Sequence, residues 1–318
     1  MSDLEQHLNA LGLGPVSGLR RLSGGASQET WAFRAGEREV ILRRKPEGVV
    51  GSGNAIGLDK EAALIQAAAR QGAPVPPIVH VCTPEEGVGE AYVMGKVEGE
   101  TLGRRIVRDE AFAAVRPKLA RQCGEVLAQI HATPLDGLPE LTTSDAASEL
   151  EKYEAVYRGT GDRRPIFEAA FRWLKDRAPA MEKPVLVHGD FRNGNIMFHP
   201  EIGVAAVLDW ELAHLGDPAE DMGWICTASW RFGGARPVGG FGDYEELLAG
   251  YEAAGGRPIP LERVLYWQTL GSLKWGVMCL IMYQTYASGA DPSVERAMIG
   301  RRTSETEIDL IALLEKAA

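Results

Sequence analysis

The chain has 318 residues, 45% hydrophobic and 25% charged, a balance near the average of globular domains that excludes a disordered tail, a collagen-like repeat and a small disulfide knot. The length fits one large or two modest domains with room for a real core. Its 34 basic and 44 acidic residues leave a net charge of −10, which argues against a nucleic-acid partner, because phosphate contacts need clustered Lys and Arg.

In chain order, Asp3 and Glu5 stand where a signal peptide would carry bases, and no long apolar run follows. Residues 30–34 and 39–43 alternate as strands around a turn-like 35–37, which predicts a hairpin. Residues 58–70, rich in Ala, Leu and Glu, read as a helix stopped by Gly72 and Pro74. Residues 91–94 read as a further short, buried strand. Beyond about Gly99 amphipathic stretches dominate, at 115–132, 146–157, 166–177, 244–254, 261–287 and 305–316, with one β-like island at 185–209. The expected division is a sheet-rich unit over 1–97 and a helical unit over 98–318, with a ligand cleft between them. Residues 264–287 are apolar and long enough to span a bilayer, yet Lys274 near their middle would cost about 2.5–3.5 kcal/mol there. We read them as a buried helix and expect no membrane span.

Cys82, Cys123, Cys226 and Cys279 are widely spaced and form no CxxC pair. A structural zinc site and a disulfide framework are therefore not expected, and a reducing, cytoplasmic compartment is.

The densest polar cluster is His188-Gly189-Asp190-Phe191-Arg192-Asn193-Gly194-Asn195, flanked by apolar residues 184–187 and 196–198. A polar loop between buried strands is where catalytic groups tend to sit. Asp209 ends the apolar run 204–208 a short distance further on. An Asp and an Asn on one loop, with a second Asp on a neighbouring strand end, supply oxygen ligands suited to Mg²⁺, which completes its shell with water and phosphates.

The spacing from Asp190 to Asn195 is that of the protein-kinase catalytic loop H-R-D-x-x-x-x-N. With Gly at the second position, and L-D-W-E in place of D-F-G, the chain resembles the aminoglycoside phosphotransferase family of small-molecule kinases over essentially its whole length. That resemblance implies an α+β, protein-kinase-like fold of two lobes, a small antiparallel sheet followed by a large helical lobe. It implies ATP and Mg as cofactors, with Asp190 as the group that takes the acceptor hydroxyl's proton and Asn195 and Asp209 as the metal ligands. Ser23, Gly24 and Gly25 match the turn over the phosphates. Arg43 stands where protein kinases carry Lys, Glu61 is its expected ion-pair partner, and the backbone of Lys96 and Val97 is placed to meet adenine. Arg for Lys keeps a permanent, planar charge suited to phosphate oxygens, although Arg44 and Lys45 follow directly and leave the register open.

The acceptor expected is a hydroxyl on a small molecule, since G-x-G-x-x-G, D-F-G and A-P-E are all missing. Within the family the chain looks most similar to kinase-like domains related to those fused to acyl-CoA dehydrogenases, which suggests a hydroxyacyl-CoA or related metabolite. A nucleotide-binding pseudokinase, or an aminoglycoside-, choline-, homoserine- or fructosamine-type kinase, stays open as an alternative. A polycationic aminoglycoside would call for an acidic pocket, and the 24 basic and 31 acidic residues from 101 onward leave a modest surplus of seven acids. Trp224, Trp230, Trp267, Trp275 and Tyr283 are candidates for either an acceptor pocket or core packing. His188 and His131 read as structural, Asp217 and Asp221 as acids of a helix N-terminus, and Arg104, Arg105 and Arg108 as solvated charge. Oligomeric state, regiochemistry and the choice of ATP or GTP are not legible.

Overall fold

The computed structural model describes residues 3–24, 28–45 and 55–316. Its first part is a five-stranded antiparallel sheet of β1 (Val16–Gly24), β2 (Glu29–Ala35), β3 (Arg38–Arg44), β4 (Ile78–Val81) and β5 (Ala91–Gly95), in the order β1-β2-β3-β5-β4. The expected hairpin is β2–β3, closed at Ala35↔Arg38, with Gly36 at φ 64° supplying the turn conformation that side chains rarely adopt. Alternation along the strands sends the two sets of side chains to opposite faces. Phe33, Val40, Leu42 and Val93 pack with Leu8 of α1 (Asp3–Ala10), whereas Ala32, Ile41, Tyr92 and Met94 join the main core with α2 (Leu58–Arg70).

From Gly103 onward the chain is mainly helical: α3 (Gly103–Arg108), α4 (Leu119–His131), α5 (Ala146–Thr160), α6 (Pro165–Arg177), α7 (Pro218–Cys226), α8 (Tyr244–Ala253), α9 (Leu261–Ala287), α10 (Val294–Arg301) and α11 (Thr303–Lys316). The helix expected from 115 starts at Leu119, because Pro117 cannot donate a backbone hydrogen bond and holds Arg116–Lys118 in a 3-10 turn. Helix α9 is the hub, packed by α5, α6, α7, α10 and α11. Among the described residues no helix is long and apolar enough to cross a membrane. Helices α4 and α8 approach closely, and a Cβ on Gly250 would lie 2.0 Å from the Arg121 carbonyl oxygen.

The 185–209 island is not one ladder. Strand β7 (Ile196–His199) pairs with β8 (Gly203–Val207), but β6 (Val185–Val187) pairs with β9 (His214–Gly216), beyond the expected limit. The polar loop 188–195 thus links strands of two separate ribbons, and both sequence neighbours of the loop are anchored. The architecture is the expected α+β fold, a small antiparallel sheet followed by a larger helical part, with one apolar core running from the inner sheet face through α2 to α9.

Candidate active site

The loop between β6 and β7 is built from its backbone outward. The Asp221 carboxylate on α7, fully buried, accepts the N–H of His188 at 2.8 Å and of Gly189 at 3.0 Å. It also meets His131 Nε2 at 3.2 Å. Burial alone would raise its pKa, but these hydrogen bonds and the neighbouring imidazoles hold it below the usual carboxylate range. His188 is itself buried and its pKa is lowered by desolvation. Its Nδ1 accepts the Asp190 N–H at 3.2 Å, so Nε2 carries the proton donated to the Leu208 carbonyl at 3.0 Å. Both ring nitrogens are engaged in structure, as expected. Gly189 sits at φ 78°, and a Cβ there would lie 2.4 Å from the Leu212 carbonyl oxygen. This close approach explains why the position between His188 and Asp190 holds glycine here.

The Asp190 carboxylate is oriented by named donors. Oδ1 accepts Trp224 Nε1 at 2.6 Å and Arg192 Nε at 2.9 Å, while Oδ2 accepts Asn195 Nδ2 at 2.6 Å. The amide nitrogen of Asn195 is thereby spent on Asp190, which leaves its Oδ1 free to ligate. Leu208 N–H donates to the Asn195 carbonyl at 2.8 Å, so Asn195 and Asp209 lie at the same end of the β7–β8 ribbon. Asp209 adopts φ 67°, a left-handed conformation that aspartate tolerates better than most residues.

Arg43 crosses from β3 to this strand end. Its Nη2 lies 2.9 Å from Asp209 Oδ1 and its Nη1 3.6 Å from Glu61 Oε1, and the side chain also bonds Gln28 Oε1. The expected Arg43–Glu61 pair is therefore formed. Glu61 is fully buried; Oε1 also accepts Tyr92 OH at 2.9 Å, while Oε2 has no partner among the described residues. Burial pushes the Glu61 pKa up against the pull of Arg43, and Asp209 adds to the rise.

Lys96 N–H donates to the Glu39 carbonyl at 3.1 Å, and its ammonium reaches Glu39 Oε2 at 2.9 Å. The Lys96 C=O and the Val97 N–H take no part in hydrogen bonds among the described residues. Ser23 and Gly24 close β1; Gly25 lies outside the described residues.

Charge in the cleft is lopsided. Glu61, Asp190, Asp209 and Glu211 converge on it, against Arg43 and Arg192. Burial, with Asp209 next to it, pushes the Glu211 carboxyl up to about 7. Crowded carboxylates beside a free amide oxygen are the hard, oxygen-rich donor set that fits Mg²⁺, which takes one or two protein carboxylates plus substrate phosphates. Away from the cleft, His80, Cys82 and Glu86 place ligand atoms within 4.8 Å of one another, a group the cysteine spacing did not announce. There Glu86 already serves a capping box with Thr83 and bonds His80 at 2.8 Å.

Sequence reasoning singled out Asp190, Asn195, Asp209, Arg43 and Glu61; in the structure Asn195 bonds Asp190, and Arg43 pairs with Asp209 and Glu61. It missed Asp221 as the anchor of the loop, Trp224 and Arg192 as donors to Asp190, and Gln28 and Tyr92 as partners of the Arg43–Glu61 pair. Trp224, weighed as pocket or core, turns out to touch Asp190, while Trp230 packs tilted against Trp224 with ring centroids 5.3 Å apart, and Tyr283 is exposed. Asp217 caps α7 as expected, accepting the Ala219 N–H at 2.9 Å.

Fold and loop define a small-molecule phosphotransferase of kinase-like architecture, and the chain belongs to the Phosphotransferase enzyme family (APH), whose model matches residues 18–294. The chain is 30% identical over 244 residues to the mouse acyl-CoA dehydrogenase family member 10, an alignment covering 71% of this chain and 22% of that protein. It thus spans under a quarter of that relative's length. A Ralstonia eutropha structure, provisionally named an aminoglycoside phosphotransferase, superposes with a TM-score of 0.77 at 21% identity, covering 99% of this chain and 98% of that one. A spectinomycin phosphotransferase solved with ADP and spectinomycin gives 0.65 at 15% identity, covering 97% and 98%. At these identities the solved structures show the shared fold.

Proposed function

We propose that the chain catalyses ATP- and Mg-dependent phosphoryl transfer to a hydroxyl of a hydroxyacyl-CoA or a related hydroxylated metabolite. The observation that carries this reading is the meeting of Asp190, Asn195, Asp209 and Arg43 at one strand end, from three separate parts of the sequence. In this reading 1–97 is the nucleotide-binding lobe and 98–318 the lobe holding the catalytic loop and acceptor site. Asn195 Oδ1 and Asp209 would hold Mg²⁺, and Arg43, fixed by Glu61, would face the phosphates, with Ser23, Gly24 and Gly25 as further phosphate-binding candidates. The unpaired Lys96 C=O and Val97 N–H suit the edge of adenine. Bound Mg·ATP supplies an activated phosphoryl group whose charge the metal helps neutralise. Asp190 orients the acceptor hydroxyl and takes its proton as the hydroxyl oxygen bonds to the γ-phosphorus, while the bond from that phosphorus to the bridging oxygen breaks and ADP leaves. Trp224 and Arg192 hold the carboxylate in that pose, so that positioning and charge stabilisation supply most of the catalysis.

The acyl-CoA assignment is supported by similarity to a protein named for acyl-CoA chemistry. A cytoplasmic location is supported by the four cysteines, all free in the structure. The test is a magnesium titration of ADP release in wild type and Asp209→Asn. The expected result is a magnesium requirement shifted upward at least about tenfold in the variant, as loss of a charged ligand implies. An unchanged requirement would remove Asp209 from the metal site.

A further inference from the structure

Strand β4 lies at one edge of the sheet, and its end carries a group of side chains that phosphoryl transfer does not use. His80 and Cys82 stand two positions apart, the spacing that puts strand residues on one face. The chain then turns back on itself. Thr83 and Glu86 form a capping box around the single 3-10 turn Pro84–Glu86, and Gly87 at φ 70° closes it. The turn returns the Glu86 carboxylate to the strand end, where Oε1 lies 2.8 Å from His80 Nε2. One ligand atom each from His80, Cys82 and Glu86 lies within 4.8 Å of the other two. All three residues are half-buried, so an ion can reach them from solvent. Among the described residues no other three His, Cys, Asp or Glu side chains come together this closely.

The donor set selects the ion. Thiolate, imidazole and carboxylate are the ligands of zinc, at about 2.3, 2.0–2.1 and 2.0–2.2 Å. Tetrahedral angles then set the ligand atoms about 3.3–3.6 Å apart, so small rotations of the three side chains suffice. Mg²⁺ and Ca²⁺ prefer oxygen throughout and would leave the sulfur unused. Thiolate and carboxylate together balance the two charges of the ion. Glu86 is already oriented, because its Oε2 accepts the Thr83 N–H at 2.7 Å, the kind of outer contact that fixes a ligating carboxylate. Capping and the ion pair with His80 account for Glu86, but they give the sulfur beside them no use. Burial, with Glu86 next to it, pushes the Cys82 thiol up to about 12, which makes it a poor nucleophile on its own.

We infer that His80, Cys82 and Glu86 form a zinc site, with water as the fourth ligand and the Cys82 proton passing to solvent on binding. The ion would tie the Pro84–Glu86 turn to the edge strand. The site is separate from the catalytic cleft and does not rest on the phosphotransferase reading. Cysteine spacing gave no sign of it, because the pattern H-x-C-x3-E holds a single Cys.

The test uses the full chain, reduced with a phosphine and stripped of metal with a chelator that is then removed. Zinc affinity is measured by competition with a chromophoric chelator, and cobalt(II) is the spectroscopic probe. The expected result is one sulfur-bound zinc per chain with a dissociation constant of about 1 μM or tighter. Cobalt should show a thiolate-to-metal band in the near ultraviolet, which separates this site from the cleft, whose proposed ligands are oxygens. Cys82→Ser should abolish that band and weaken zinc at least about tenfold. Glu86→Gln should weaken zinc by as much while keeping the band. Thermal unfolding without metal reports that the variants are folded. Wild type that binds no zinc at about 100 μM, or a cobalt spectrum without the band, overturns the inference. So does a band that survives Cys82→Ser, or an affinity that neither variant lowers, since the metal then sits on other residues. Should Cys82→Ser fail to fold, the wild-type spectrum and Glu86→Gln still decide.

Discussion

The indole N–H of Trp224 and the carboxylate of Asp190 lie 2.6 Å apart in the cleft. A hydrogen bond to a charged group contributes about 1.5–3 kcal/mol. Trp224→Phe keeps a ring beside Lys274 but deletes the donor, so kcat should fall roughly ten- to a hundredfold with nucleotide KM little changed. Steady-state kinetics check this, and an unchanged kcat would make the contact merely structural. Residues of this kind divide sharply in how far sequence reveals them. Asp190 and Asn195 share one loop at a spacing with a chemical meaning. Asp221 and Trp224 lie on a helix whose opening acids look the same whether they cap a terminus or anchor a distant loop. Only the packing of α7 beneath the loop tells the two apart.

Among elements, the most regular patterns were legible. The hairpin β2–β3 and the helices α2 and α9 fall where alternation, composition and length put them. Strand β9 was missed because its three residues carry no strand pattern of their own, and its partner β6 lies 27 or more positions earlier along the chain. Pairing over that separation is a tertiary decision that local propensity does not report. Glycines were equally silent in sequence. Gly250 on α8 faces backbone of α4, and Gly159 on α5 faces open space. Gly250→Ala should therefore destabilise by about 1–3 kcal/mol through overpacking, whereas Gly159→Ala should stabilise by about 0.5–1 kcal/mol through helix propensity. Thermal or urea unfolding measures both, and shifts of the same sign would contradict the close packing of α4 on α8.

At the scale of the whole molecule, one core joins the inner sheet face to the helices. Ala32, Ile41 and Met94 pack in the same cluster as Leu127, Phe198 and Leu270, so Arg43 is registered against Asp209 by apolar contact as well as by charge. Such support keeps reacting groups within the narrow tolerance that phosphoryl transfer needs. The net charge of −10 is consistent with the acids gathered around Arg43, Glu61, Asp190, Asp209 and Glu211. The central claim is that Asp190 carries the transfer. Its most direct measurement is phosphorus NMR of the ATP γ-phosphate with a hydroxyacyl-CoA acceptor, run on wild type and Asp190→Ala alongside Mg·ATP affinity. The expected result is a phosphorylated acceptor with wild type, and with the variant a rate at least about a hundredfold lower at an affinity within a few fold of wild type. Transfer by Asp190→Ala at the wild-type rate would contradict it.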